Sequence, residues 1–327
     1  MNCSHRIFLL LVYTAIELGV CRATGESFYV ADDFFIRHYS DLTTYTPFAK
    51  VPSGGSFGMD GLVVALDGSL YATDSQNGTI LRYTAPNSYT VFASGLERPQ
   101  GLAFDSAGNL FVVENGASYV SRVLKFSAPN AFSVFATGLQ SAYGIAIDRT
   151  GVVYVSEYGG GNIRRYTAPE TSSIYASGLS PTSLALDDGN ALYVADYNED
   201  AIRRFAAANS STVVGNTRGF PMSVGVQAGG DVLAGDFLGD LHEFPSGGGS
   251  TLVMTGLGKV LAIAIVPEPG STMFLLIGFG LLYSQRLRMR RQKELVEPRR
   301  PSRDRHDRVL RPRARQIPRS DPGAAVR

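Results

Sequence analysis

The chain has 327 residues, of which 44% are hydrophobic and 18% charged, with a formal net charge of +1. The apolar share is ample for a folded core and excludes wholesale disorder. The only two cysteines, Cys3 and Cys21, lie near the N-terminus, which excludes a disulfide scaffold and a cysteine-cluster zinc site. Gly and Pro make up about 16% of the chain alongside 16 Tyr and 18 Phe, a mix of turn formers and aromatics that favours a β-rich fold. The charge is unevenly spread. Residues 286–327 hold 15 of the 30 Lys+Arg, which leaves an acidic body and a basic tail. A nucleic-acid-binding reading would rest on that tail alone, and no nucleic-acid partner is expected.

The first segment reads as a secretory signal peptide over residues 1–23. His5 and Arg6 precede the apolar run 7–16, and Cys21-Arg22-Ala23 puts small residues where signal peptidase looks, so cleavage is expected after Ala23. Glu17 is an awkward neighbour for that run. A lipoprotein reading would use Cys21, but Val20 is a poor residue before a lipidated cysteine.

The body, 24–265, is a repeat. A tract of aromatic or aliphatic, small and acidic residues recurs six times, ending in Asp32, Asp74, Glu114, Glu157, Asp196 and Asp236. Those acids are spaced by 42, 40, 43, 39 and 40 positions. A strand with an aromatic end follows each tract, at Tyr39, Tyr83, Phe126, Tyr166, Phe205 and Phe244. After a polar turn comes another strand, as in 90–96, 133–139 and 173–179. A strand of small apolar residues precedes five tracts, as in 61–64, 101–104 and 144–147. The first unit lacks this strand, and a spare copy stands at 261–265. Four short strands per unit of about 40 residues make a propeller blade. The split unit implies a ring closed by the C-terminal strand, which removes exposed sheet edges. The expectation is an all-β, six-bladed β-propeller.

Beyond it, Val266-Pro267-Glu268-Pro269 leads into an apolar stretch, read as one hydrophobic helix at about 270–285. A basic cluster from Arg286 to Lys293 follows. The stretch is short for a full span, and the arginines fit a cytoplasmic side. The Arg/Pro-rich 294–327 has no apolar periodicity and reads as a disordered basic tail.

The three-part order in 266–293 resembles the PEP-CTERM sorting signal. That resemblance implies signal peptidase and an exosortase-type sorting enzyme as partners, a membrane anchor through the C-terminal helix, and export to the cell surface or extracellular matrix. Chains with this signal usually end soon after the basic cluster, and this one continues to Arg327. The repeat is similar to NHL and streptogramin-lyase-like propellers, carried by the Gly-Leu-Ala-like strand starts, the Tyr-Val-x-Asp/Glu core and turns such as Asn77-Gly78-Thr79-Ile80.

The six acids fall at one end of their strands, on the side of the loops that lead into the next inner strand. As a ring they could hold Ca2+ or Mg2+ or a cationic ligand, because hard cations prefer carboxylate oxygens. The competing reading has each carboxylate accepting backbone N–H bonds from its own turn. Sixfold repetition favours the second, since a site is normally asymmetric. The lyase resemblance implies a histidine base and a metal near the axis. The body offers only His38 and His242, both expected on the blade exterior. Lactonase-type propellers imply a metal held by Glu and Asn/Asp from different blades, which Glu114, Asn115, Asp196 and Asn198 could imitate. The cations Arg82, Lys125, Arg164, Arg165, Arg203 and Arg204 could form a stripe for an anionic polysaccharide, or a solvated face. Gly116-Ala117-Ser118 and Gly159-Gly160-Gly161 lack the strand-to-helix context of phosphate loops and read as turns. The expected function is an exported, non-catalytic binding or structural scaffold with a polysaccharide or protein ligand on the propeller face. The alternative is a divalent-metal-dependent lyase or lactonase-like hydrolase using the acidic face.

Overall fold

The computed structural model describes residues 26–52 and 59–267. The expected signal peptide, Glu268 and Pro269 of the sorting motif, the helix at about 270–285 and the basic tail lie outside the described residues. Among the described residues no helix is long and apolar enough to cross a membrane.

Six four-stranded antiparallel sheets form the blades of an all-β propeller. The innermost strands are Leu62–Val64, Pro99–Phe104, Ala142–Ile147, Pro181–Leu186, Pro221–Val226 and Ala262–Ile265. The last of these completes blade 1. It runs antiparallel to Phe28–Ala31 in the register Phe28↔Ile265 and Ala31↔Ala262. The split unit therefore closes the ring as expected, and the Val266 N–H extends the seam by donating to Ser27 O at 2.9 Å.

The second strands are Leu70–Asp74, Leu110–Asn115, Val153–Glu157, Leu192–Asp196 and Val232–Asp236 in blades 2 to 6, and every residue in them is buried. Neighbouring blades cover both faces of these strands, so their sequences run continuously apolar instead of alternating. The outer strands, such as Ser88–Ala93 and Thr171–Ser177, expose their first halves.

The six aromatic ends are the main core residues between blades. Tyr39, Tyr83, Phe126, Tyr166, Phe205 and Phe244 are each at most 2% exposed. An outer-strand aromatic of one blade packs on the third-strand aromatic of the next, as in Phe48–Tyr83, Phe92–Phe126 and Phe135–Tyr166, all with ring centroids 5.8 Å apart. Such tilted and edge-on pairs add about 0.5–1.5 kcal/mol each beyond their burial.

Convergence at the axis explains why the inner strands begin with small residues. A Cβ on Gly101 would lie 2.5 Å from Tyr143 O, and one on Gly61 would lie 2.3 Å from Gln100 O. Both obstacles are backbone of the next blade, so a side chain at either position would push two inner strands apart.

Candidate functional site

The acids of the repeat are structural clamps. Asp32, Asp74, Glu114, Glu157, Asp196 and Asp236 are all at most 1% exposed. In blades 3, 4 and 5 the carboxylate grips the loop entering its own blade. Glu114 accepts from Glu97 N at 2.6 Å, Glu157 from Gln140 N at 3.0 Å, and Asp196 from Ser180 N at 2.8 Å. In blades 1, 2 and 6 it accepts from its own turn, Asp32 from Phe34 and Phe35, Asp74 from Asn77, and Asp236 from Leu238 and Asp240.

The second oxygen takes an arginine in four blades. Arg37 pairs with Asp32, Arg122 with Glu114, Arg164 with Glu157 and Arg203 with Asp196. The Glu114 carboxylate raises the pKa of Arg122, chiefly through their hydrogen bond. In blade 6 the arginine's place belongs to His242, whose Nε2 lies 3.2 Å from Asp236 Oδ2. His242 is 5% exposed, so the expectation of an exterior histidine is corrected for this residue. His38 stacks on Tyr29 and is half-buried. Blade 2 has Leu81 opposite Ala72 instead of a cation, and Asp74 is met by Asn77 Nδ2 at 2.8 Å.

The expected basic stripe divides into two sets by strand alternation. Arg164 and Arg203 face the acids. Arg82, Lys125 and Arg204 instead lie against Asp67, Asp105 and Asp187, each also over an aromatic ring of the neighbouring strand.

One cluster of potential ligand atoms stands out among the described residues. Asp236, Asp240 and His242 bring one ligand atom each within 4.8 Å of one another. Asp236 already accepts two backbone N–H bonds and meets His242, so its oxygens are spoken for without a metal. In the lactonase-like set, Glu114 and Asp196 are committed to Arg122 and Arg203, and Asn198 donates to Ser180 Oγ at 2.8 Å. Asn115 alone of that set reaches a groove, described below.

The main cavity, about 740 Å3, lies at the mouth of the axis, and none of the six acids lines it. Two rings of residues build it. The first stands just before the small starting residue of each inner strand: Asp60, Gln100, Tyr143, Thr182, Met222 and Leu261. The second comes from the residue following each acid, and supplies Ser75, Tyr158, Tyr197 and Phe237. The clamp positions this second ring. The backbone N–H after the acid donates to the entering loop, as in Asn115 N to Arg98 O, Tyr158 N to Ser141 O, Tyr197 N to Ser180 O and Phe237 N to Phe220 O, at 2.9–3.2 Å. Arg98, Ser141 and Phe220 hold left-handed backbone there, with φ of 50°, 45° and 35°, a strained conformation that commonly gathers at ligand sites.

The two rings are lopsided. Blades 2 and 3 present Asp60, Ser75, Gln76, Arg98 and Gln100, whereas blades 4 to 6 present Tyr158, Tyr197, Met222 and Phe237. The aromatics form a continuous wall. Tyr143–Tyr158 and Tyr158–Tyr197 meet edge-to-face at 5.9 Å, and Tyr197 stacks on Phe220 at 4.8 Å. On the polar side, Ser75 Oγ lies 2.6 Å from Asp60 Oδ2 and 2.7 Å from Pro99 O, and Gln100 Nε2 donates to Arg98 O at 3.3 Å. Burial pushes the Asp60 carboxyl above the ordinary carboxylate range, against the opposing pull of Ser75, Gln100 and Arg98. Burial likewise pushes the Tyr143 and Tyr197 hydroxyls up. Among the described residues no histidine or cysteine lines the cavity, and Asp60 is its single carboxylate.

Sequence reasoning concentrated on the repeated acid and passed over the residue beside it. The available signal was the break in the repeat. The position after the acid changes from Asp33, Ser75 and Asn115 to Tyr158, Tyr197 and Phe237 while its neighbours hold their pattern.

No family model matches the chain, and no curated protein sequence matches it. Among solved structures, a virginiamycin B lyase from Staphylococcus aureus is similar with a TM-score of 0.50 at 16% identity, covering 69% of this chain and 73% of that one. A streptogramin B lyase structure is similar with a TM-score of 0.50 at 17% identity, covering 69% and 72%. At that identity the likeness establishes a shared six-bladed propeller fold and leaves the chemistry to be argued from this chain's own residues.

Proposed function

We propose that the chain is an exported surface propeller that binds a ligand in its axial cavity without transforming it. The observation that carries this reading is the lining of the cavity. It has an aromatic wall facing a polar one, which suits recognition. Among the described residues its single carboxylate is Asp60, and no histidine stands along the wall as an acid–base partner.

The signal peptide over 1–23 and the PEP-CTERM-like segment 266–293 support delivery to the cell surface or matrix, by signal peptidase and an exosortase-type enzyme, with the hydrophobic segment at about 270–285 as the anchor. A second reading is a divalent-metal-dependent lyase or hydrolase, favoured by the Asp236, Asp240 and His242 cluster. In it Ca2+ or Mg2+ would be held on the acidic side of blade 6.

One experiment separates these readings. Intact mass is measured on protein recovered from membrane and from medium, with calcium and magnesium content read on the same samples. A mature chain beginning near Thr24 and ending near 266–269, without stoichiometric metal, is the expected result. Stoichiometric metal lost on His242→Ala would replace the binding reading with the enzymatic one. A full-length species retained in the membrane would overturn processing at the sorting motif.

A further inference from the structure

A second cavity, about 450 Å3, opens beside the axial one between blades 2 and 3 and shares Ser75, Gln76 and Arg98 with it. We propose that the two together form one extended site for a neutral oligosaccharide, with its first rings against the aromatic wall and the following ones in the side groove. This rests on the reading of the axial cavity as a binding site.

The lining of both cavities points to that ligand class. Tyr158 and Tyr197 both line the cavity, set edge-to-face at 5.9 Å, and aromatic rings are the usual partners of the C–H face of a pyranose ring. Opposite them stand planar side chains, Asp60, Gln100 and Arg98, whose paired donors and acceptors match neighbouring hydroxyls. Asp60 and Gln100 are held in place by Ser75 and the Arg98 carbonyl, so their remaining hydrogen-bonding capacity is already oriented.

The groove carries unused donors. The Arg98 guanidinium makes no hydrogen bond or ion pair among the described residues and lies 5.7 Å from the Tyr119 ring. Asn115, fully buried in the groove wall, accepts at Oδ1 from Ser121 Oγ, and its Nδ2 has no partner among the described residues. Around the same groove, Arg98, Ser118 and Tyr119 all hold left-handed backbone, with φ of 50°, 60° and 60°.

Charge then narrows the class. The charged residues lining the two cavities are Asp60, Glu97 and Arg98, so neither sign dominates. A cationic ligand would find the Phe237 ring already covered by Lys259, whose Nζ is 4.6 Å from its centroid. An anionic ligand would meet Asp60 and Glu97. A neutral chain of hydroxyls and ring faces meets neither obstacle.

The test is isothermal titration of the full chain with cellohexaose, laminarihexaose and N-acetylchitohexaose. Their disaccharides, an oligogalacturonate and indole-3-propionamide serve as comparison probes. The expected result is binding of at least one neutral hexaose, about tenfold tighter than its disaccharide. Tyr197→Ala and Tyr158→Ala should each weaken it about thirtyfold, with the β-sheet circular dichroism unchanged. Arg98→Ala should weaken the disaccharide and the hexaose alike, and the hexaose more, because Arg98 lines both cavities. Preference for the oligogalacturonate would overturn neutrality. Hexaose binding indifferent to both tyrosines would overturn the placement. If no sugar binds but indole-3-propionamide does, and Tyr197→Ala abolishes it, the sugar class falls and the cavity reading survives. If nothing binds, both fall together.

Discussion

Glu157 shows what the repeated acid contributes. Its carboxylate is 1% exposed, accepts from Gln140 N at 3.0 Å and from Arg164 Nε at 2.6 Å, and so ties the outer strand of one blade to the second and third strands of the next. Glu157→Ala strands the Gln140 N–H and leaves Arg164 without its carboxylate. Removing one member of a buried pair costs about 3–5 kcal/mol. The Arg164 side chain is 32% exposed and recovers part of its hydration, which brings the figure to about 2–4 kcal/mol. For a domain of this size that is about 6–12 °C in Tm. Arg164→Met leaves the buried carboxylate on its backbone donor alone and should cost somewhat less. The double variant should cost clearly less than the sum, because the two residues act on one interaction. Thermal unfolding of the four proteins in calcium and in EDTA checks this. Additive losses would refute the clamp, and a wild-type Tm that falls in EDTA and is restored by calcium would show that the acid serves a metal.

Three further outcomes follow from the same geometry. Gly101→Ala places a methyl group 2.5 Å from Tyr143 O, so overpacking at the axis should cost about 1–3 kcal/mol by urea titration, whereas an Ala at the exposed Gly247 meets no atom within 4 Å. A chain ending at Val260 lacks the strand Ala262–Ile265 that pairs with Phe28–Ala31, and should aggregate through the opened edge; a chain ending at Pro267 should unfold at the full-length temperature. Asp60→Asn should raise stability at neutral pH, because a carboxyl whose folded pKa is raised has its stabilising effect below its unfolded value near pH 4, and loses it as pH rises through the folded value. The Tm difference between wild type and variant should therefore shrink to nothing in acid, and an Asp60→Asn protein less stable than wild type at pH 7 would contradict the burial argument.

The fold was legible because it is written six times. Tyr39, Tyr83, Phe126, Tyr166, Phe205 and Phe244 recur for one reason, the space between tilted blades, and all six are buried. The closing strand was legible from a count, a missing copy at one end and a spare at the other. His242 was misread because strand alternation places it outward only if its face is exposed. In blade 6 that face carries the clamp, and the histidine occupies the position that Arg164 and Arg203 hold in blades 4 and 5.

The site was harder to see for the same physical reason. A propeller satisfies each blade's backbone with the same device, so a residue found in every blade belongs to the device. The carboxylates of Glu114, Glu157 and Asp196 are used up in holding a loop and a cation. A ligand that is not sixfold symmetric can be recognised only where the blades differ. At this mouth they differ in two places, the residue after the acid and the residue before the small start of the inner strand. There Asp60, Ser75 and Gln100 face Tyr158, Tyr197 and Phe237 across the axis. The clamp gives these residues rigid, equivalent stations, and their divergence turns a symmetric scaffold into a directional pocket. It follows that Tyr197→Ser, which gives blade 5 the residue type of blade 2, should leave the fold standing by circular dichroism while abolishing recognition in the titration, since the specificity lies in how the stations differ.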